Sequence, residues 1–165
     1  MSEHYKSSQW GLDLQSKAKE LKHKKARFLI ATLDNDSMST SSSPTKDSTT
    51  PDIVAFAHFR FDFDDDDQPS HPVLYVYELH VHPSYQRYGI GRRLMSIMEL
   101  MAMRSSMSHV MLTVFTHNKQ ALKFYSEKMK YSIADSSPSN FGEEGAEPAD
   151  YEILWKCVSK TLRNA

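Results

Sequence analysis

The sequence predicts an α/β domain: a mixed sheet with helices packed against it. Three stretches carry that prediction. Ile53 to Phe63 alternates with period two, placing Ile53, Ala55, Ala57, Phe59, Phe61 and Phe63 on one face and Val54, Phe56, His58, Arg60 and Asp62 on the other. Val73-Leu74-Tyr75-Val76-Tyr77-Glu78-Leu79-His80-Val81 is an apolar run that reads as a buried strand. Gln86-Arg87-Tyr88-Gly89-Ile90-Gly91 then turns the chain into a helix marked by Leu94, Ile97, Met98 and Met101. A strand that ends in a glycine turn and opens a helix leaves unpaired N–H groups facing the turn. That geometry binds anions, phosphates above all.

The remaining elements follow in order. Asp13 is suited to cap a first helix in which Leu14, Ala18 and Leu21 line one face, while Lys17, Lys19, Lys22, Lys24 and Lys25 face water. Arg27 to Thr32 reads as a strand, and residues 34–52 as a mobile Ser/Thr/Asp/Pro loop with little to bury. Asp64 to Pro72 turns the chain into the apolar strand, and the helix after the glycine turn extends to about Arg104. Val110 to Phe115 is a further strand, Asn118 to Met129 a second helical stretch through Leu122 and Tyr125, and Tyr131 to Ala134 a short strand. Ser136 to Pro148 is rich in glycine, proline and acids and reads as a loop before a last strand, Tyr151 to Val158. Residues 1–26 form an N-terminal segment and helix packed on the domain, and 27–165 the domain itself.

Composition narrows the classes. A chain of 165 residues with 39% hydrophobic and 25% charged residues suits one globular domain with a core of its own. A net charge of −1 supplies no basic field for nucleic acid or membrane. The single cysteine, Cys157, excludes an internal disulfide and fits a reducing compartment. No apolar run reaches the roughly 20 residues of a membrane span, and no signal-peptide core is evident. The expected setting is nucleus and cytoplasm, with a monomer expected. His80 and His82 share a strand face at a spacing zinc could use, but no further ligand cluster is evident, so no metal is expected.

The glycine turn has common rivals. A dinucleotide-binding fingerprint requires a third glycine where Leu94 stands, and a P-loop requires Lys then Ser/Thr where Arg92 and Arg93 stand. Taken alone, the turn is better explained as a tight turn that needs glycine for its backbone angles. Its partner motif lies downstream: Leu112-Thr113-Val114-Phe115 followed by Asn118, Ala121, Phe124 and Tyr125. Together with Gln86-x-x-Gly89-x-Gly91, over residues 53–135, this resembles the GNAT superfamily of acetyl-coenzyme-A-dependent N-acetyltransferases.

The resemblance implies a GNAT fold with splayed central strands and acetyl-coenzyme A as cosubstrate. The cofactor pyrophosphate is expected on the N–H groups of Arg87, Tyr88, Gly89, Ile90, Gly91 and Arg92, with Arg92 or Arg93 adding a charge-assisted bond. The pantetheine arm is expected along the backbone of Leu79, His80 and Val81, and Asn118 matches the family's cofactor position on the following helix.

Within that superfamily, several stretches look like the NatD family, which acetylates the N-terminal α-amine of the two core histones beginning Ser-Gly-Arg-Gly. They are Tyr75-Val76-Tyr77-Glu78-Leu79, Leu112-Thr113-Val114-Phe115-x-His117-Asn118, Asp135-Ser136-Ser137-Pro138-Ser139, Tyr151-Glu152-Ile153-Leu154, Phe59-Arg60-Phe61-Asp62, and Tyr5 with Ser8-Gln9-Trp10-Gly11. The match covers nearly the whole chain except residues 33–51 and 140–149. It implies Glu78 as general base and Tyr125 as either a general acid or a residue packing on the cofactor. Tyr5, Asp62, Tyr77, Thr113, Ser136 and Tyr151 would contact the peptide, with Trp10 and Tyr75 beside them. Asp62 is suited to the third-position arginine, and histone tails are the implied protein partner. Strict alternation puts Tyr77 and Glu78 on opposite faces, so a bulge is expected in this strand. The alternatives are a GNAT enzyme acting on a lysine side chain or small amine, and a non-catalytic module that binds acetyl-coenzyme A.

Overall fold

In the computed structural model, which describes residues 13–33, 52–64, 71–141 and 149–158, the strands β1 (Arg27–Thr32), β2 (Ile53–Phe63), β3 (Pro72–Val81), β4 (His109–Phe115), β5 (Ser132–Ile133) and β6 (Tyr151–Cys157) form one sheet. Its order is β1-β2-β3-β4-β6-β5, with β3 and β4 parallel and the other neighbours antiparallel. The helices are α1 (Leu14–Leu21), α2 (Ile90–Arg104) and α3 (Lys119–Lys123), the last continued by a π-helical turn, Phe124–Lys128. The order expected from hydrophobic periodicity is the order observed. Tyr5, Trp10 and almost all of the 34–52 loop lie outside the described residues, as do residues 65–70 and 142–148.

The sheet has two unlike faces. On one, Ala57, Phe59, Leu74, Val76, Leu112 and Val114 pack against Met95, Met98 and Ala102 of α2 and against Tyr125 and Met129. Met95 and Met98 are fully buried, each contributing about 1.5–3 kcal/mol through apolar burial. These methionines are core. The other face carries a smaller cluster of Val73, Met111 and Ala134, flanked by Tyr75, Ile153 and Trp155. Beside that cluster the face becomes polar, through His58, Arg60 and Glu78.

The first helix departs from its expected packing. Asp13 does cap it, accepting from the Gln15 N–H at 2.9 Å. Leu14, however, is 70% exposed and no residue of α1 is buried. Lys17, expected to face water, instead turns inward to Glu78. The physical reason lies beneath it: the sheet offers α1 carboxylate, imidazole and guanidinium groups, so an ionic complement sets the helix orientation in place of its weak apolar stripe. Arg60 reinforces this by donating from Nη2 to the Glu20 carbonyl at 2.7 Å, satisfying an acceptor at the helix end.

Candidate active site

The site begins with a backbone irregularity. Along β2 and β3, His58 stands opposite Glu78 and the next residue, Phe59, stands opposite Val76. Tyr77 is therefore an extra residue, the expected bulge. Because cross-strand partners share a face, the jump brings Tyr75, Tyr77 and Glu78 all to the polar face. The Tyr77 ring stacks on His58 at 5.1 Å, lies 5.2 Å from Tyr75, and carries the Arg60 guanidinium 4.4 Å above its centroid.

The bulge coincides with a parting of strands. Parallel pairing of β3 with β4 runs from Val73–His109 to Val76–Leu112 and stops. Beyond it, β3 continues to Val81 paired only with β2, and β4 continues to Phe115 paired only with β6. The β3 backbone from Leu79 onward is thereby left without β4 as a partner, as the splay requires, although the Val81 carbonyl accepts from Gln86 Nε2 at 3.1 Å. A cavity of about 290 Å³ sits at the fork, lined by Lys17, Glu20, Tyr75, Val76, Tyr77, Thr113 and Phe115.

Glu78 is 8% exposed, and its Oε1 lies 2.6 Å from the Lys17 ammonium. The same ammonium contacts Glu20 Oε1 at 2.6 Å. His58 is fully buried between the rings of Phe28 and Tyr77, with Nδ1 3.6 Å from Glu20 Oε1. Burial lowers the His58 pKa; the nearby Glu20 and Glu78 carboxylates oppose that shift without reversing it. The ring is neutral at physiological pH.

The Tyr75 hydroxyl is hydrogen-bonded to the Thr113 hydroxyl. Burial pushes the Tyr75 phenol up, and Tyr77 and Tyr151 add in the same direction. Tyr151 begins β6 opposite Phe115, at the same end of the sheet. Asp62 shares the face of His58 and Arg60 but stands opposite Val73, away from the fork, where Lys25 Nζ meets it at 3.0 Å. Ser136 is exposed in a turn; it is its neighbour Ser137 that is buried, donating to Glu152 at 2.5 Å and accepting from the Ile153 N–H at 2.8 Å.

The glycine turn lies at the open end of β3. Arg87 has φ 69° and Gly89, the N-cap of α2, has φ 80°. Only glycine adopts the latter without cost. The first helical bond of α2 runs from the Arg93 N–H to the Gly89 carbonyl at 2.9 Å. The N–H groups of Ile90, Gly91 and Arg92 precede it, with no acceptor inside the helix. Tyr88, Arg87 and Arg92 are exposed around them. Asn118 caps α3 by accepting from the Ala121 N–H at 3.1 Å, which leaves its amide NH₂ for a ligand. Tyr125 is 9% exposed in the main core, between Phe124 and Tyr131, and burial pushes its phenol well up, keeping it protonated.

Of the residues singled out from sequence, Tyr75, Tyr77 and Thr113 line the fork and Glu78 lies beside it against Lys17, whereas Asp62, Ser136 and Tyr125 lie elsewhere. Sequence reading missed Lys17, Glu20, His58 and Arg60 as neighbours of Glu78. The signal for two of them was present, since His58 and Arg60 share the alternating face with Asp62.

A helix N-terminus thus stands at the open end of β3, and the aromatic cleft at the fork carries the Glu20 carboxylate in its lining. The chain belongs to the acetyltransferase (GNAT) family, whose sequence model matches residues 9–131. Among solved structures it is similar to Arabidopsis thaliana Naa50 in complex with the bisubstrate analogue CoA-Ac-MVNAL, at 26% identity, 64% of this chain, 66% of that one and a TM-score of 0.48. The chain thus spans just under two thirds of that relative. It is also similar to Arabidopsis thaliana NAA60 in complex with a bisubstrate analogue, at 14% identity, 91% and 84% coverage and a TM-score of 0.62. The ribosomal-protein-S18-alanine N-acetyltransferase of Escherichia coli matches at 16% identity, 96% and 85% coverage and a TM-score of 0.59. The latter two likenesses show the fold.

Proposed function

We propose that the protein is an acetyl-coenzyme-A-dependent N-terminal α-amine acetyltransferase of the NatD type, acting on the Ser-Gly-Arg-Gly N-terminus of histone tails. The observation that carries this reading is the bulge at Tyr77, which brings Tyr77 and Glu78 to one face of the sheet, with Glu78 against Lys17 at the edge of the aromatic cleft where β3 and β4 part. Asp62 further along the same face supports the third-position arginine as a contact. Cytoplasm and nucleus are the corresponding places of action, and a monomer suffices for it.

The cradle fits coenzyme A. Free N–H groups at the start of α2 suit a pyrophosphate, the opened edge of β3 suits an amide-bearing arm, and the Asn118 amide NH₂ is available for a further contact. When bound, acetyl-coenzyme A supplies an acetyl group already activated as a thioester. Glu78 then accepts the proton of the attacking amine as the N–C bond forms and the C–S bond breaks. An α-amine has a pKa of ~7.7–8.0 against ~10.4 for lysine, so the demand on Glu78 is modest. The departing thiol, at roughly 8.5, needs little help from an acid, and Tyr125 serves chiefly as packing behind the site. Tyr75, Tyr77, Thr113 and Phe115 wall the cleft, which favours a small first residue such as serine.

A second reading, acetylation of a lysine side chain or small amine, is favoured by one contact: a lysine ammonium, that of Lys17, already reaches Glu78. Incubation with acetyl-coenzyme A of a Ser-Gly-Arg-Gly peptide, and of a lysine-containing peptide with a blocked N-terminus, separates the two. Mass spectrometry should place the acetyl group on the α-amine of the first. Equal modification of the blocked peptide overturns the NatD reading.

A further inference from the structure

We propose that Glu20 and His58 complete, with Glu78, a subsite for the substrate's primary ammonium group, and that Lys17 is its internal occupant in the free protein. This rests on reading the Glu78 cleft as the acceptor site, and it assigns to α1 a part in substrate selection.

The three groups converge. One ligand atom each from Glu20, His58 and Glu78 lies within 4.8 Å of the other two. Between the carboxylates sits the Lys17 Nζ, 2.6 Å from an oxygen of each. The imidazole of His58 is fully buried, and neither ring nitrogen has a hydrogen-bond partner among the described residues. A neutral imidazole offers one lone pair, and an ammonium brings three N–H donors and no acceptor. Two carboxylates and one imidazole therefore match the donors of a primary ammonium.

Charge favours exchange over addition. Glu20 and Glu78 are balanced by Lys17 and by Arg60, whose guanidinium caps α1 and covers the Tyr77 ring. Replacing the Lys17 ammonium by a substrate ammonium keeps that balance; adding a third cation does not. Withdrawal of Lys17 also costs little elsewhere, because no residue of α1 is buried. Lys25, just beyond α1, repeats the pattern by occupying Asp62. An intramolecular occupant lowers apparent affinity by the fraction of molecules in which it fills the site. Lys17 thus acts as a filter: only an amine that satisfies both carboxylates displaces it.

The test is calorimetric titration of coenzyme-A-loaded wild type, Lys17→Met, Glu20→Gln and Glu20→Asp with paired probes. The pairs are a Ser-Gly-Arg-Gly peptide with its Nα-acetylated twin, and Nα-acetyl-lysine amide with its Nε-acetylated twin. At least one free amine should bind more tightly than its blocked twin. That advantage should grow several-fold in Lys17→Met, fall about tenfold in Glu20→Gln and recover in part in Glu20→Asp. An advantage untouched by Glu20→Gln, one lost in Lys17→Met, or no advantage for either free amine overturns the subsite. Amine-dependent binding without acetylation of the peptide would remove the proposed function and leave the subsite standing. Acetylation with an unaltered KM in Glu20→Gln would do the reverse.

Discussion

Replacing Glu78 by Gln probes the mechanism most directly. Gln keeps the shape of the side chain and removes the base. Lys17 would retain Glu20 at 2.6 Å, so no buried ion is orphaned. The stability loss should therefore stay below the roughly 3–5 kcal/mol of a broken buried pair, nearer the ~1.5–3 kcal/mol of one charge-assisted bond. Loss of a general base should cut kcat by about 10²–10⁴-fold, which corresponds to about 2.7–5.5 kcal/mol of barrier. The pH profile adds a signature. With no internal base, the variant depends on substrate that is already neutral, so its rate should climb about tenfold per pH unit and level off above the α-amine pKa of ~7.7–8.0. Initial rates with a Ser-Gly-Arg-Gly peptide across that range, with a thermal melt and coenzyme A affinity as controls, give all the quantities. A variant with kcat within about twofold of wild type, despite a lowered melting point, would refute the assignment and make Glu78 an anchor for α1.

Three further outcomes follow from the same geometry. Lys25 is 50% exposed where it meets Asp62, so that pair contributes under about 1 kcal/mol; Asp62→Ala should barely move the melting point yet raise KM for a peptide with arginine third far more than for one with alanine, and equal losses would make Asp62 structural. Burial lowers the pKa of both His58 and His109 below the usual 6.5, so the unfolded chain binds more protons just below that value. Stability should thus fall as pH drops through about 6.5 and level off below the folded values; urea midpoints should show this slope, His109→Gln should flatten part of it, and an unchanged slope in that variant would refute the His109 share. Gly89→Ala meets nothing within 4 Å, so only its φ of 80° opposes it; a loss of about 1–2 kcal/mol in denaturant unfolding is expected, and a neutral result would show that the turn relaxes.

Much of the fold was legible because it rests on local periodicity. The alternation at Ile53 to Phe63 and the helical spacing from Leu94 onward each survive into the structure as β2 and α2. The second helical stretch is only partly as read: after Lys123 it widens into a π turn, closed by the Met129 N–H on the Phe124 carbonyl at 3.0 Å. Apolar spacing alone cannot distinguish the two turns, since both carry Tyr125 and Met129 to the sheet. The first helix was misread in a more instructive way. Leu14, Ala18 and Leu21 do have helical spacing, but a stripe so thin yields to the polar surface it meets.

By itself, the sequence determined the element order, the glycine-dependent entry to α2 and the identity of the carboxylate set into an apolar strand. Each is a property of neighbouring residues, governed by backbone angles and by the period of side chains along one element. Only the tertiary structure decided which groups meet. The bulge reversed the face of Tyr77 relative to Glu78, the parting of β3 from β4 opened the cleft, and α1 laid Lys17 and Glu20 across it. Those contacts join residues far apart in the chain, so they depend on strand register and on the charge of the surface a helix encounters, neither of which any local pattern records.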